Sequence, residues 1–146
     1  MIDTKRVAAR HMKKADALGD IEQKLRDVGQ IASGIKANLK LVDDLVAAGE
    51  RRRVGRVSDI NVGVMSFDGS KVTAIVAGTT GKYNVRITVA PKRGHNCTCP
   101  DWEKNGRQVG PCKHVLALGL AWKNEKLIPE INSIADKLAE IIGAPF

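Results

Sequence analysis

The amino-acid sequence predicts an α+β fold. We expect an N-terminal helical region, an antiparallel β-meander, a cysteine-rich segment followed by a helix, and a C-terminal helix. Three observations lead to this prediction. Apolar residues recur every three or four positions in the first third of the chain, and they alternate with polar residues from Val54 to Ala90. Three cysteines and a histidine then fall within residues 97–114. The expected domain boundaries are 1–50 for the helical region, 51–59 for a basic linker, 60–122 for the meander and cysteine-rich segment, and 123–146 for the C-terminal helix.

The helical region carries an apolar seam typical of a coiled coil, with alternating spacings of three and four residues over about four heptads. Its members are Leu18, Ile21, Leu25, Val28, Ala32, Ile35, Leu39, Val42 and Val46. Two interpretations are open: self-association through this seam, or a helix or helical hairpin that packs on the body of its own chain. Gly29 and Gly34 each weaken a helix by about 1 kcal/mol relative to alanine, so either is a candidate break. Residues 4–18 form a candidate separate polar helix.

The middle of the chain reads as strands joined by tight turns. Asp68-Gly69 is a strong hairpin signal, and residues 78–81 supply a second turn. The alternation predicts one buried and one wet face, with Pro91 and Gly94 ending the meander. A helix is expected from Pro111 to Trp122. Another helix is expected to open at Pro129 and close at Gly143.

Composition narrows the functional classes. The net charge of +8 and the isoelectric point near 9.6 favour polyanionic partners, nucleic acid first. The five aromatic residues are too few for a multi-base stacking platform. The longest near-continuous apolar run, Val115–Trp122, is shorter than the roughly 20 residues of a membrane span. No apolar block follows the charged N-terminus, so we expect no secretory signal and a cytoplasmic or other intracellular location.

The cysteine-rich segment has the composition and spacing of a zinc site. Cys97 and Cys99 flank one residue, twelve residues intervene, and Cys112 and His114 flank Lys113. Zinc prefers four tetrahedral ligands of thiolate and imidazole type. In an extended segment both Cys97 and Cys99 point to one side. Positions 112 and 114 differ by about 200° within a helix, so one of them must lie at the helix entry, next to Gly110 and Pro111. Buried reduced thiols, a redox Cys-x-Cys pair, and His95 in place of His114 are the alternatives.

This pattern of Cys-x-Cys followed by Cys-x-His resembles the SWIM zinc-finger signature, over about residues 60–122. The hairpin at residues 71–87 and the apolar helix after the site also resemble that module. The resemblance implies a ββα-type zinc finger used in DNA binding or protein–protein contact. It further implies a larger protein partner, such as a helicase-like ATPase or a RecA-like recombination protein.

The first functional interpretation is a zinc-containing accessory protein that binds nucleic acid mainly through phosphates, with DNA as the favoured kind of nucleic acid. The candidate phosphate contacts are Arg51, Arg52, Arg53, Arg56, Lys92, Arg93, Lys104, Arg107 and Lys113. The alternative is a protein-interaction adaptor that oligomerises or docks through its N-terminal helices without binding nucleic acid. A third is an enzyme component, such as a ubiquitin-ligase-like finger or a thiol redox factor.

We expect the protein not to be an enzyme and its single zinc ion to be structural. Four protein ligands leave no open coordination position for water or substrate. The sequence also lacks a HExxH motif, a P-loop and a GxSxG elbow.

Overall fold

The computed structural model describes residues 4–49, 53, 55–100 and 110–143, with side chains from residue 19 onward. Within these residues, a long helix, a small antiparallel sheet and two shorter helices follow one another. The elements are α1 (Thr4–Ala48), a 3-10 helix (Val57–Asp59), β1 (Asn61–Val62), β2 (Ser66–Phe67), β3 (Lys71–Ala77), β4 (Lys82–Thr88), β5 (Gly94–Cys97), α2 (Lys113–Trp122), a π-helical turn (Lys123–Leu127) and α3 (Ile128–Ile142). The predicted α+β fold with an antiparallel sheet and helices at both ends is confirmed.

The chain divides into two compact units. The helical unit comprises the residues up to Ile35 and those from Glu130 onward, and the buried apolar side chains among its described residues are Val28, Ile35 and Ile134. The sheet unit spans Lys36–Pro129 and holds the cysteines. The sequence-based domain boundaries stay a prediction.

Helix α1 is continuous from Thr4 to Ala48, so neither candidate break, Gly29 or Gly34, interrupts it, and residues 4–18 do not form a separate helix. The cost of about 1 kcal/mol per glycine is small when good helix formers surround each one. Side-chain pairs along the helix add support: the Gln23 amide donates to Asp27 at 2.8 Å, and Lys24 lies 3.4 Å from Asp20. Part of the predicted seam is buried within the chain, and part, including Ile21 and Leu25, is exposed.

The sheet is an antiparallel arrangement in the order β1-β3-β4-β5, and β2 also pairs with β3. Strands β1 and β2 therefore lie along the same side of β3. Between them, residues 63–65 face only residues 74–75, which makes a bulge. The Gly63 amide continues the hydrogen bonding between β1 and β3 by donating to the Ile75 carbonyl at 2.9 Å. Both predicted turns join strands as expected.

The Asp68-Gly69 turn is held by the aspartate side chain. Its carboxylate accepts hydrogen bonds from the amides of Ser70 and Lys71 and from the Ser70 hydroxyl, at 2.8–2.9 Å. Because these donors stabilise the charged form, the Ser70 amide foremost, the pKa of Asp68 falls from 3.8 to about 2. Gly69 takes a φ of +90°, a conformation that glycine adopts at no steric cost.

One face of the sheet packs on α2 and forms the core of the sheet unit. Val72, Val76 and Ile87 are buried, and Gly119 of α2 lies against Val42 of α1 and Ile87. Trp122 is also buried, and its ring centroid lies 5.2 Å from that of Phe67. The opposite face of the sheet carries exposed side chains, as the alternation predicted.

Two helix boundaries and one strand differ from expectation. Helix α2 begins at Lys113 because Cys112 is extended and acts as the N-cap, and α3 begins at Ile128, straight after the π-helical turn. Gly94 opens strand β5 instead of ending the meander, because β4 offers a free edge to pair with. Within the described residues, no helix is both long enough and apolar enough to cross a bilayer.

Candidate metal centre

The end of β5 delivers two of the cysteines to one point. Cys97 is the last residue of β5 and pairs with Val85 of β4. The next residue, Thr98, points outward, where its hydroxyl accepts a hydrogen bond from the backbone amide of Asn84 at 3.1 Å. Cys99 therefore returns to the buried side, and its amide donates to the Cys97 sulfur at 3.4 Å. The two sulfurs share a side of the chain because strand residues alternate between faces.

The start of α2 delivers the other two ligands. Cys112 caps the helix in an extended conformation, and its carbonyl accepts the first helical hydrogen bond from Leu116 at 3.1 Å. His114 follows in the first turn. The expectation that one of this pair must sit at the helix entry is confirmed, with Cys112 as the entry residue.

The four side chains form one compact, buried group. The donor atoms of Cys97, Cys99, Cys112 and His114 all lie within 4.8 Å of one another. Each residue is at most 2% exposed. Cys112 Sγ lies 4.0 Å from His114 Nδ1, so this nitrogen faces the sulfurs. A tetrahedral site with zinc–sulfur bonds of about 2.3 Å has edges of about 3.8 Å, close to these separations.

The electrostatics of the group favour one thiolate. The pKa of Cys112 is lowered, mainly because the Cys97 thiol donates a hydrogen bond to its sulfur, with smaller contributions from His114 and the Val115 amide. The pKa of Cys97 is raised correspondingly, since its proton is held in that hydrogen bond and burial disfavours its charge. A thiolate at the helix N-terminus is also favoured by the helix dipole.

Two residues of the β3–β4 hairpin enclose His114. The ring of Tyr83 lies 4.8 Å from the imidazole, centroid to centroid, and its hydroxyl shares a 2.8 Å hydrogen bond with Thr80. On another side, a Cβ at Gly78 would lie 2.8 Å from His114 Nε2. Only a residue without a side chain leaves room for the imidazole here. Nε2 is buried and has no hydrogen-bond partner among the described residues, which is consistent with a ring positioned by packing.

Arg53 supports the site from outside the ligand group. It is only 6% exposed, and its Nη1 donates to the carbonyls of Gly110 at 3.2 Å and Pro111 at 3.4 Å. Pro111 directly precedes Cys112, so this contact fixes the backbone that enters α2. Gly110 itself has a φ of +91°, and a Cβ there would lie 2.6 Å from the Ala48 carbonyl oxygen. Arg53, one of the candidate phosphate contacts, is therefore buried against the backbone that enters α2, and its contact with phosphate stays a prediction.

The donor set fits one Zn²⁺. Three sulfurs and one imidazole match the ligands that zinc prefers, and three thiolates with a neutral imidazole would leave the loaded site at about −1. A metal ion bound by these residues would tie the end of β5 to the start of α2. His95 is half-buried in β5 and lies outside the ligand group, and burial lowers its pKa. The alternative in which His95 replaces His114 does not agree with this grouping.

The other candidate phosphate contacts are placed in three ways. Arg56 and Lys92 are exposed, and Lys113 is half-buried at the first turn of α2. Arg93 is exposed and pairs with Asp44 at 3.1 Å. The remaining candidates lie outside the described residues: Arg51, Arg52, Lys104 and Arg107.

Comparison with known families agrees with this geometry. Residues 85–123 match the family model of the SWIM zinc finger, and this matched range contains all four ligands. The match begins in β4 and ends just after α2. The comparisons with curated proteins and with solved structures gave no match.

Proposed function

We propose that this chain, with its SWIM zinc finger, is a non-enzymatic accessory protein that binds nucleic acid, DNA first, mainly through phosphates. The observation that best supports the proposal is the position of two cations beside the metal centre. Arg56 and Lys113 line one cleft of about 160 Å³ together with Thr79 and Asp59, which is the one carboxylate among the described lining residues. Lys113 follows the ligand Cys112 directly, so a zinc-fixed helix entry would hold its ammonium group near the positive end of α2, where anions are favoured.

Salt dependence tests this proposal. With about four to six phosphate contacts, the logarithm of duplex DNA affinity should fall against the logarithm of salt concentration with a slope of about −4 to −5. The triple variant Arg56→Gln/Lys92→Gln/Lys113→Gln should bind more weakly and with a shallower slope. The control, Lys40→Gln/Lys126→Gln/Lys137→Gln, removes the same charge from other exposed lysines. An affinity that ignores salt, or an equal loss in both triple variants, would contradict phosphate contacts at the cleft.

We also propose that the zinc ion is structural and that the protein lacks a catalytic activity of its own. The four buried protein donors fill a tetrahedral coordination sphere, which supports this assignment. All three cysteines should then resist a thiol-specific reagent in the zinc-loaded protein and react after a chelator is added. A cysteine that reacts at once while zinc stays bound would favour the redox alternative.

The resemblance supports a ββα-type module formed by β4, β5 and α2 that acts on a larger partner. The partner class we propose is a recombination or helicase-like ATPase. ATP turnover by a purified enzyme of this class, measured with and without the chain, tests the proposal. A change in turnover that the His114→Ala variant does not produce would support it, and identical turnover in all mixtures would contradict it.

A second candidate function is self-association through the N-terminal seam. Ile21, Leu25 and Ile31 of α1 are large apolar side chains exposed to solvent. A parallel or antiparallel coiled coil would bury Ile21 and Leu25. Light scattering should then give a mass near twice 15.8 kDa. Leu25→Glu should give the monomer mass, and the control Ser33→Glu, at another exposed position of α1, should not. A monomeric wild-type protein would contradict this function and leave nucleic-acid binding unaffected.

A further inference from the structure

The face of the sheet that points away from α2 carries an open groove of about 460 Å³. It runs across strands β3, β4 and β5, within the sheet unit. Its lining combines two cations, Lys71 and Arg86, with the amides of Asn84 and Asn96 and the exposed aliphatic side chain of Ile75. None of the described residues that line this groove is acidic. The metal centre and the Arg56–Lys113 cleft use none of these residues.

Strand register sets the pattern of side chains on this face. Thr73, Arg86 and Asn96 form one row across the three strands, because Arg86 pairs with both neighbours. Ile75, Asn84 and Thr98 form the next row. Lys71 pairs with Thr88, two residues along β4 from Arg86, so the two cations are diagonal neighbours about 7–8 Å apart at their Cα atoms.

We propose that this groove binds a single strand of nucleic acid. The proposal rests on the proposed function and assigns it a second surface. Lys71 and Arg86 contact successive phosphates, and the Asn84 and Asn96 amides, which both donate and accept hydrogen bonds, meet base edges. Ile75 and the neighbouring Val64, 57% and 96% exposed, provide apolar contact for the bases. Three adjacent strands span about 10 Å, which suits one nucleic-acid strand better than a duplex.

The shape and chemistry of the face favour nucleic acid over a helix or strand of a protein partner. An amphipathic helix would need a broad apolar stripe, whereas the described lining of this groove offers only two large exposed aliphatic side chains. A β-strand partner would add to an edge of the sheet and not to its face. No aromatic ring lines the groove among the residues that the structure describes, so the phosphates should dominate and binding should depend strongly on salt.

Fluorescence anisotropy of a labelled 15-nucleotide oligo-dT, with the zinc-loaded full chain, tests the proposal. The variant Lys71→Gln/Arg86→Gln removes two phosphate contacts. The slope of the logarithm of affinity against the logarithm of salt concentration should therefore become shallower by about 1.4. With equal affinities at 1 M salt, this corresponds to about 25-fold weaker binding than the wild type at 0.1 M salt. The isosteric Asn96→Asp variant, made alone, adds a negative charge to the groove and should also bind more weakly than the wild type. Lys40→Gln/Lys126→Gln, which removes the same charge elsewhere, should change affinity by less than about threefold.

Zinc stoichiometry and the melting temperature of each variant establish that it is folded. Equal losses in the two double variants would show that net charge, and not the groove, controls binding, and would overturn the inference. Unchanged binding in Lys71→Gln/Arg86→Gln, with loss in the Arg56 triple variant, would overturn it and leave the proposed function standing. A wild-type protein that binds neither oligo-dT nor duplex DNA would contradict both this inference and the proposed function. Competition by polyglutamate as effective, per charge, as oligo-dT would identify an acidic protein as the occupant instead.

Discussion

At the scale of single residues, the metal centre depends on side chains that are present and on one that is absent. His114 contributes the fourth donor, while Gly78 leaves the space its imidazole occupies. The four ligands could be predicted from the sequence because their spacing is local. The need for glycine at position 78 could not, because it arises when the β3–β4 turn folds over a residue 36 positions later.

Replacing His114 by alanine should release the zinc. The site would lose one of four ligands and a ring packed on Tyr83. Metal binding supplies folding free energy on the order of 10 kcal/mol in small zinc domains, so a large drop in melting temperature should accompany the loss. Metal analysis of the purified variant checks this, with His95→Ala as the matched control that keeps one zinc per chain. Stoichiometric zinc in the His114 variant would rule out this residue as the fourth ligand.

Gly78→Ala should weaken the site without removing any ligand. The added methyl group would overlap His114 Nε2 at 2.8 Å, and such overpacking typically costs about 1–3 kcal/mol. Competition with a chromogenic chelator measures the zinc affinity. The control is Gly94→Ala in β5, where a Cβ would meet nothing within 4 Å. Equal zinc affinities in the two variants would show that the imidazole can move aside at little cost.

At the scale of elements, the site joins a strand end to a helix start, and Arg53 holds the two residues that precede this helix start. Its contact with the Gly110 and Pro111 carbonyls spans 57 and 58 residues of sequence. The run of basic residues at 51–56 gives no local sign that one member turns inward. Strand β5 was missed for a similar reason: its pairing with β4 overrides Pro91 before the strand and Gly94 at its first position. Contacts between distant segments decided both cases.

Arg53→Met should destabilise the sheet unit, whereas Arg56→Met should not. The first change leaves two backbone carbonyls without their charged donor, and hydrogen bonds of this kind contribute about 1.5–3 kcal/mol. The second removes an exposed side chain, for which a change within about 0.5 kcal/mol is usual. Denaturant unfolding of the zinc-loaded proteins measures both. Equal stabilities would show that the Arg53 contacts contribute little.

At the scale of the whole molecule, the zinc ligands all belong to the sheet unit. The helical unit contains none of them and has its own buried residues, Val28, Ile35 and Ile134. The sequence predicted a helical region with an apolar seam, but it predicted neither that the helix is continuous nor how the seam divides between the two units. Val42 and Leu41 are buried in the sheet unit, and Leu41 falls outside the predicted seam, because the surroundings of the helix change along its length.

Removing zinc should therefore affect the two units differently. With a chelator present, amide hydrogen exchange should accelerate across residues 36–129, because α2 and β5 lose the link that anchors them to the shared core. Residues 19–35 should exchange at nearly the same rate as before. Mass spectrometry of peptide fragments checks this pattern. Faster exchange confined to residues 94–122 would instead make the metal site a small, separate folding element.

The interrupted side of β3 has a consequence for the behaviour of the protein at high concentration. One border of the sheet consists of two-residue strands separated by a bulge, and the other is the four-residue β5, which ends at a metal ligand. Long, flat borders recruit strands from other molecules and seed fibrils, and short or distorted ones do not. This protein should consequently resist amyloid-like stacking for as long as its metal keeps β5 in place.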